Sequence, residues 1–154
     1  MNKKNRLNIN FFVLLIAACS VTHAGDGLIR LKSPHTVTTT IDRLEKALLS
    51  KEMTVFKRIS HSTGAEKVGL ALRPTELLIF GNPAIGTPLM QCAQTAAIDL
   101  PQKALAYEDA DGQVWLTYND PQYVANRHNI KGCDKVIAKI TGALSKFANA
   151  AIKP

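Results

Sequence analysis

Apolar and polar positions along this chain change period several times, and each change predicts an element. Leu28 to Lys32 alternates Leu28, Arg30 and Lys32 against Ile29 and Leu31, the mark of a strand, which Ser33-Pro34 ends. Val37, Ile41, Leu44 and Leu48 then recur at helical spacing, with Thr36 as N-cap and Asp42, Arg43, Glu45 and Lys46 on the wet side. Met53 to Ile59, with Val55 and Phe56 as β-formers, predicts a second strand. His61 to Lys67 is polar, a loop or one helical turn. Thr75 to Phe80 is a further strand, and its unbroken Leu77-Leu78-Ile79-Phe80 run predicts cover on both faces or a central place in a sheet. Gly81-Asn82-Pro83 breaks it, and Gly86-Thr87-Pro88 predicts a short helix with Thr87 as N-cap and Pro88 at its first position.

Ala104 to Glu108 and Val114 to Tyr118 form the clearest local signal, two strands of a hairpin joined through Asp111-Gly112. Pro121 opens a helical turn through Tyr123, Val124 and Arg127. After Gly132, residues Cys133, Val136, Ile137, Ile140, Leu144 and Phe147 lie on one stripe of a long amphipathic helix, whose obvious partner is the sheet. Asn149 to Pro154 reads as a frayed end. The order predicts an α+β domain, with a mostly antiparallel sheet and helices packed on one face.

The N-terminus has a different pattern. Lys3, Lys4 and Arg6 precede an apolar run from Phe11 to Val21, and Thr22-His23-Ala24 ends it with small residues at the positions a signal peptidase reads. The run spans about 16 Å as a helix, against about 30 Å of hydrocarbon core, so residues 1–24 read as an export signal and 25–154 as one soluble domain. Ile16-Ala17-Ala18-Cys19 also has the form of a lipoprotein box. On that alternative the signal is 1–18, Cys19 is lipidated, and the domain is tethered to the envelope instead of free in the periplasm.

Removing residues 1–24 changes the charge balance. The whole chain carries 19 Lys+Arg and 12 Asp+Glu; three of the bases precede residue 25, so 16 against 12 leaves +4 on the exported domain. These bases are scattered among acids without forming a stripe, which argues against nucleic acid as a partner. Membrane contact enters only through the alternative lipid anchor.

From Arg73 to Asp120 the segments Pro74-Thr75-Glu76-Leu77-Leu78-Ile79-Phe80-Gly81-Asn82-Pro83, Gly86-Thr87-Pro88-Leu89-Met90-Gln91, Asp99-Leu100-Pro101 and Glu108-Asp109-x-Asp111-Gly112-x-Val114-Trp115-Leu116-x-Tyr118-Asn119-Asp120-Pro121 resemble the domain-of-unknown-function 302 family. The resemblance runs back through the first helix and forward through Arg127-His128 and Gly132-Cys133-Asp134, and departs at Gln102, where the family usually shows an apolar residue. It implies a two-layer α+β arrangement similar to the TATA-binding-protein fold group, with a curved sheet facing a long C-terminal helix. No reaction is established for that family, so the resemblance leaves enzymatic activity and cofactor open.

Cys92 and Cys133 are candidates for a disulfide in an oxidising compartment, for two buried thiols on apolar faces, or for a reactive Cys133 near a helix N-terminus. His35, His61 and His128 show no metal-ligand spacing, and no metal is expected. His61, Glu76, Arg127 and His128 are candidate polar contacts for a ligand; Tyr107, Trp115 and Tyr118, with Tyr123 nearby, are candidate walls of an apolar pocket with polar tips. Gly81 to Pro88 reads as a tight connection, since it lacks the ending of a phosphate loop. No nucleophile-elbow or Ser-His-Asp pattern occurs. The sequence therefore predicts an envelope module that binds a small, partly apolar ligand between sheet and long helix. Its alternatives are an envelope interaction protein and a thiol- or histidine-based redox or metal-binding protein.

Overall fold

A computed structural model describes residues 22–154. The export signal expected over 1–24, its 1–18 alternative and Cys19 lie outside the described residues, except for Thr22–Ala24, which form the short strand β1. The other elements are β2 (Leu28–Ser33), α1 (Val37–Leu49), β3 (Thr54–Ser60), α2 (His61–Glu66), β4 (Thr75–Gly81), α3 (Pro83–Cys92), a 3-10 helix (Gln94–Ile98), β5 (Gln102–Glu108), β6 (Val114–Asn119), α4 (Pro121–Arg127) and α5 (Asp134–Ile152).

The strands form one antiparallel sheet in the order β1-β2-β6-β5-β4-β3. β1 is an edge, so the cut expected after Ala24 would remove it and leave the other five strands paired as they are. Alternation turns Ile29, Leu31, Leu78, Phe80, Ala104, Ala106, Val114, Leu116 and Tyr118 to one face. There α1 and α5 lie side by side and supply Val37, Ile41, Leu44, Leu48, Ile137, Ile140 and Leu144 to the same core. Thr36 caps α1 as its sequence predicts, its hydroxyl accepting from the Thr39 amide at 3.2 Å. Two buried hydroxyls stay satisfied beneath the helix, Ser33 Oγ and Thr40 Oγ1 lying 2.7 Å apart while Thr40 donates to the Thr36 carbonyl.

Three expectations change. β4 is an inner strand, but only Leu78 and Phe80 are buried; Leu77 and Ile79 lie on the sheet face opposite α1 and α5, Leu77 beside Leu105 and Ile59. The short helix starts at Pro83, not Pro88, because Asn82 Oδ1 accepts from the Ala84 amide at 2.9 Å and Pro83 needs no donor in the first turn. Pro88 therefore sits inside it. The C-terminus is fastened: α5 runs to Ile152, Ala151 and Ile152 are buried, and Arg43 donates to the carbonyls of Ala151 and Lys153 at 2.9 and 2.6 Å.

Candidate functional site

The excursion between β4 and β5 carries α3 and the 3-10 helix across one end of the sheet, alongside α5. Small or kinked positions at this seam, Gly81, Gly86 and Ala143, leave room that larger side chains would fill. The result is an open cleft of about 290 Å³. Ile85 and Met90 of α3 form one wall, Ala97, Leu100 and Pro101 a second, and Ile140, Ala143, Leu144 and Phe147 of α5 a third. Met53 and Phe56 close the β3 end, where a bulge between Val55 and Lys57 turns Phe56 outward, 52% exposed. Polar atoms are few: Asn82, Thr87 and Gln102 face the space, and Lys139 is the charged residue on its lining. Gln102, the position that departs from the family pattern, is thus a wall of this cleft.

Two devices hold the walls. Cys92, the last residue of α3, and Cys133, the N-cap of α5, are joined by a disulfide with Cα atoms 6.4 Å apart. This decides among the readings of the cysteines: neither is a free thiol. The second device fixes the 3-10 segment. Asp99 accepts from His128 Nε2 at 2.6 Å and from Arg127 Nη1 at 3.1 Å, while His128 Nδ1 lies 3.1 Å from Thr95 Oγ1. A carboxylate only accepts, so Nε2 is the donor in this contact. Asp99 immediately precedes Leu100 and Pro101, and the cluster therefore anchors that wall to α4. Among the lining residues neither Thr95 nor His128 occurs, and the hydroxyl-imidazole-carboxylate row is a positioning device beside the cleft.

The residues singled out from sequence are dispersed. Tyr107 and Trp115 are cross-strand partners on the sheet face opposite α1 and α5, and Tyr118 is buried on the face those helices cover. Residues 115 and 118 differ by an odd number, so one strand cannot aim both at one pocket. Burial pushes the Tyr118 phenol pKa up, with the nearby Asp120 carboxylate acting in the same direction. Tyr123 lies over Gly27, where an added Cβ would fall 2.2 Å from its ring. Glu76 is held by Thr38 Oγ1 at 2.9 Å and by Arg58 at 2.7 Å, and Arg58 also bonds Asp42, tying β3 and β4 to α1. His61 is an exposed residue at the start of α2. Arg127 and His128 meet each other through Asp99, not His61 or Glu76. None of the seven ligand candidates lines the cleft.

The hairpin tip is built around Asp109. Its Oδ1 accepts from the amides of Asp111 and Gln113, and its Oδ2 accepts from the Trp115 indole at 2.7 Å. The indole bond, reinforced by those amides, holds the carboxyl pKa below the usual aspartate range. A group with a depressed folded pKa stabilises the fold above its unfolded pKa and loses that contribution as pH falls through the folded value. Trp115 is the single tryptophan of the chain, so its fluorescence reports this bond. The expected acid transition has its midpoint below about 3.9, the unperturbed aspartate value, and disappears in Asp109→Ala; a midpoint above that value would contradict the assignment.

Fold and cleft together define a class: a small two-layer α+β domain whose helices cover one sheet face and whose β4–β5 excursion leaves an apolar hollow against the last helix. The chain belongs to the family described as "Domain of unknown function DUF302", whose sequence model matches residues 29–147. The crystal structure of an uncharacterised conserved DUF302 protein from Bacillus stearothermophilus shares the fold, with a TM-score of 0.74 at 19% identity over 82% of this chain and 98% of that one. Curated relatives named "Fluoride-specific ion channel FluC 1", from Brucella suis biovar 1 and Brucella abortus biovar 1, are 47% identical over 126 residues. The match covers 79% of this chain and 50% and 47% of theirs, so the chain spans about half the length of these relatives. Among the described residues no helix is long and apolar enough to cross a membrane.

Proposed function

We propose that this domain is a binding module for a small, largely apolar ligand, working in the cell envelope to which its N-terminal signal would send it. The observation that carries the reading is the cleft itself. A domain of this size ordinarily packs its interior to the density of an organic crystal, yet here apolar side chains from β3, α3, the 3-10 segment and α5 converge on open space. Its volume of about 290 Å³ is at the lower end of small-molecule sites, about 300–1,000 Å³. The disulfide and the Asp99 cluster brace two of its walls, so the hollow is largely formed before a ligand arrives, which limits the ordering cost of binding.

The neutral fluorescent probe N-phenyl-1-naphthylamine tests this. Saturable binding at one site per chain is expected, and Ala143→Phe, which adds a ring to the α5 wall, should weaken it by at least about tenfold, equivalent to about 1.4 kcal/mol. A thermal melt confirms that the variant folds. Non-saturable binding, or binding that the filled cleft leaves unchanged, would remove the proposal. Comparison of native and denatured masses of the protein purified from its own envelope would then identify what it carries.

A further inference from the structure

The cleft is not closed at the α5 end. Lys139, Ala143 and Phe147 line both the cleft and a shallow groove running between α1 and α5, so the two spaces adjoin at these residues. The groove floor is made of small residues, Ala47, Ala138, Gly142 and Ala150, and its charged residues are Lys51, Lys139 and Lys146. All three lysines are exposed. No carboxylate lines either space, and among the described residues, which include every acidic residue of the chain, none of the three forms an ion pair. The acids of α1, Asp42 and Glu45, lie on its other flank, turned to Arg58 of β3. An apolar hollow therefore leads into a wet, small-residue groove with three uncompensated cations.

Resting on the binding reading above, we propose that the ligand is a single-chain anionic amphiphile, its hydrocarbon tail in the cleft and its acidic head on Lys139, Lys146 and Lys51. The tail gains by leaving water, and the walls offer it almost nothing polar to displace. At about 30 Å³ per heavy atom, the share of a water molecule in the liquid, the hollow takes a chain of about ten heavy atoms. The head stays hydrated in the groove, where no desolvation penalty opposes it, and the lysines select its sign. Phe56, 52% exposed on the cleft lining, adds apolar surface there, so the same chemistry serves a free acid or the acyl chain of an anionic lipid.

Decanoate, decan-1-ol and decyltrimethylammonium, each titrated against bound N-phenyl-1-naphthylamine, share one tail and differ in head. Decanoate is expected to displace the probe about tenfold more tightly than the alcohol, because each of the three exposed cations attracts its carboxylate only weakly. The cation should be weakest. Raising salt should erode only the decanoate advantage, because the Debye length shrinks to about 3 Å at 1 M. The double variant Lys51→Glu/Lys146→Glu, at two lysines that line the groove and not the cleft, should bring decanoate to the level of decanol while leaving decanol itself unchanged. Equal affinities for acid and alcohol, insensitive to the variant, would overturn the head-group assignment while leaving the cleft as a binding site. Absence of probe binding altogether would overturn both. Flotation with vesicles of dioleoylphosphatidylglycerol, but not dioleoylphosphatidylcholine, lost in the double variant, would assign the head to a membrane lipid; decanoate binding without flotation would assign it to a free acid.

Discussion

Reduction of the Cys92–Cys133 disulfide is expected to lower the melting temperature of this domain by about 10–15 °C. The bridge spans 41 residues, and in the chain-entropy account a loop of that length restricts the unfolded chain by about 4 kcal/mol. For about 130 residues each kcal/mol shifts Tm by about 3 °C. The functional effect should exceed that of a remote crosslink. Cys92 ends the helix that carries Ile85 and Met90, and Cys133 begins the helix that carries Ile140 to Phe147. Severing them frees one cleft wall from another, so probe affinity should fall well before the domain unfolds. Calorimetry with and without reductant, paired with the double variant Cys92→Ser/Cys133→Ala, checks both points. An unchanged Tm with both thiols shown free by alkylation would rule out the stabilising role.

Phe80→Ala and Leu144→Ala should differ in a way that separates core from cleft. Phe80 is 1% exposed on the sheet's buried face and does not line the cleft. Its truncation leaves a sealed void and should cost about 3–5 kcal/mol, with ligand preference unchanged. Leu144 is 5% exposed and forms part of the cleft wall. Shortening it enlarges a space that already reaches solvent, so the penalty should be close to the lower limit of about 2 kcal/mol for such a change. The variant should favour a bulkier or longer ligand. Denaturant unfolding and probe titration of both proteins provide the comparison; equal stability losses would mean that Leu144 belongs to a closed core and that the cleft is not open at that point.

Periodicity along the chain determined a great deal. The alternation at Leu28 to Ser33 and the helical spacing of Val37, Ile41, Leu44 and Leu48 each placed an element and its buried side. The Asp111-Gly112 turn, with Gly112 at φ 76°, fixed the hairpin. These are local properties, because a residue's face within one element depends only on its neighbours a few positions away. Errors arose where two local signals competed. Asn82-Pro83 and Thr87-Pro88 are both good helix starts, and the first prevailed because its cap was available as the chain left β4. The C-terminal residues read as loose because their partners, Arg43 and His35, lie more than a hundred positions away.

The site was much less legible. The aromatic residues of the hairpin cluster in sequence, yet strand alternation sends Trp115 and Tyr118 to opposite faces, a conflict that the odd spacing already contained. Arg127 and His128 stand at a helix end, but their partner Asp99 is 28 and 29 residues away and is reached only when α4 packs against the 3-10 segment. The cysteine pair could be suspected from the expected export signal and the number of cysteines; only the approach of α3 to the start of α5 decided that it bonds. Sequence by itself therefore determined the family, the α+β order and the inward faces, because short-range spacing encodes them. Tertiary structure decided where the packing fails to close, since a cleft is the space left by residues 53–56, 81–90, 97–102 and 139–147 together, and no one segment records the shape of a gap among four.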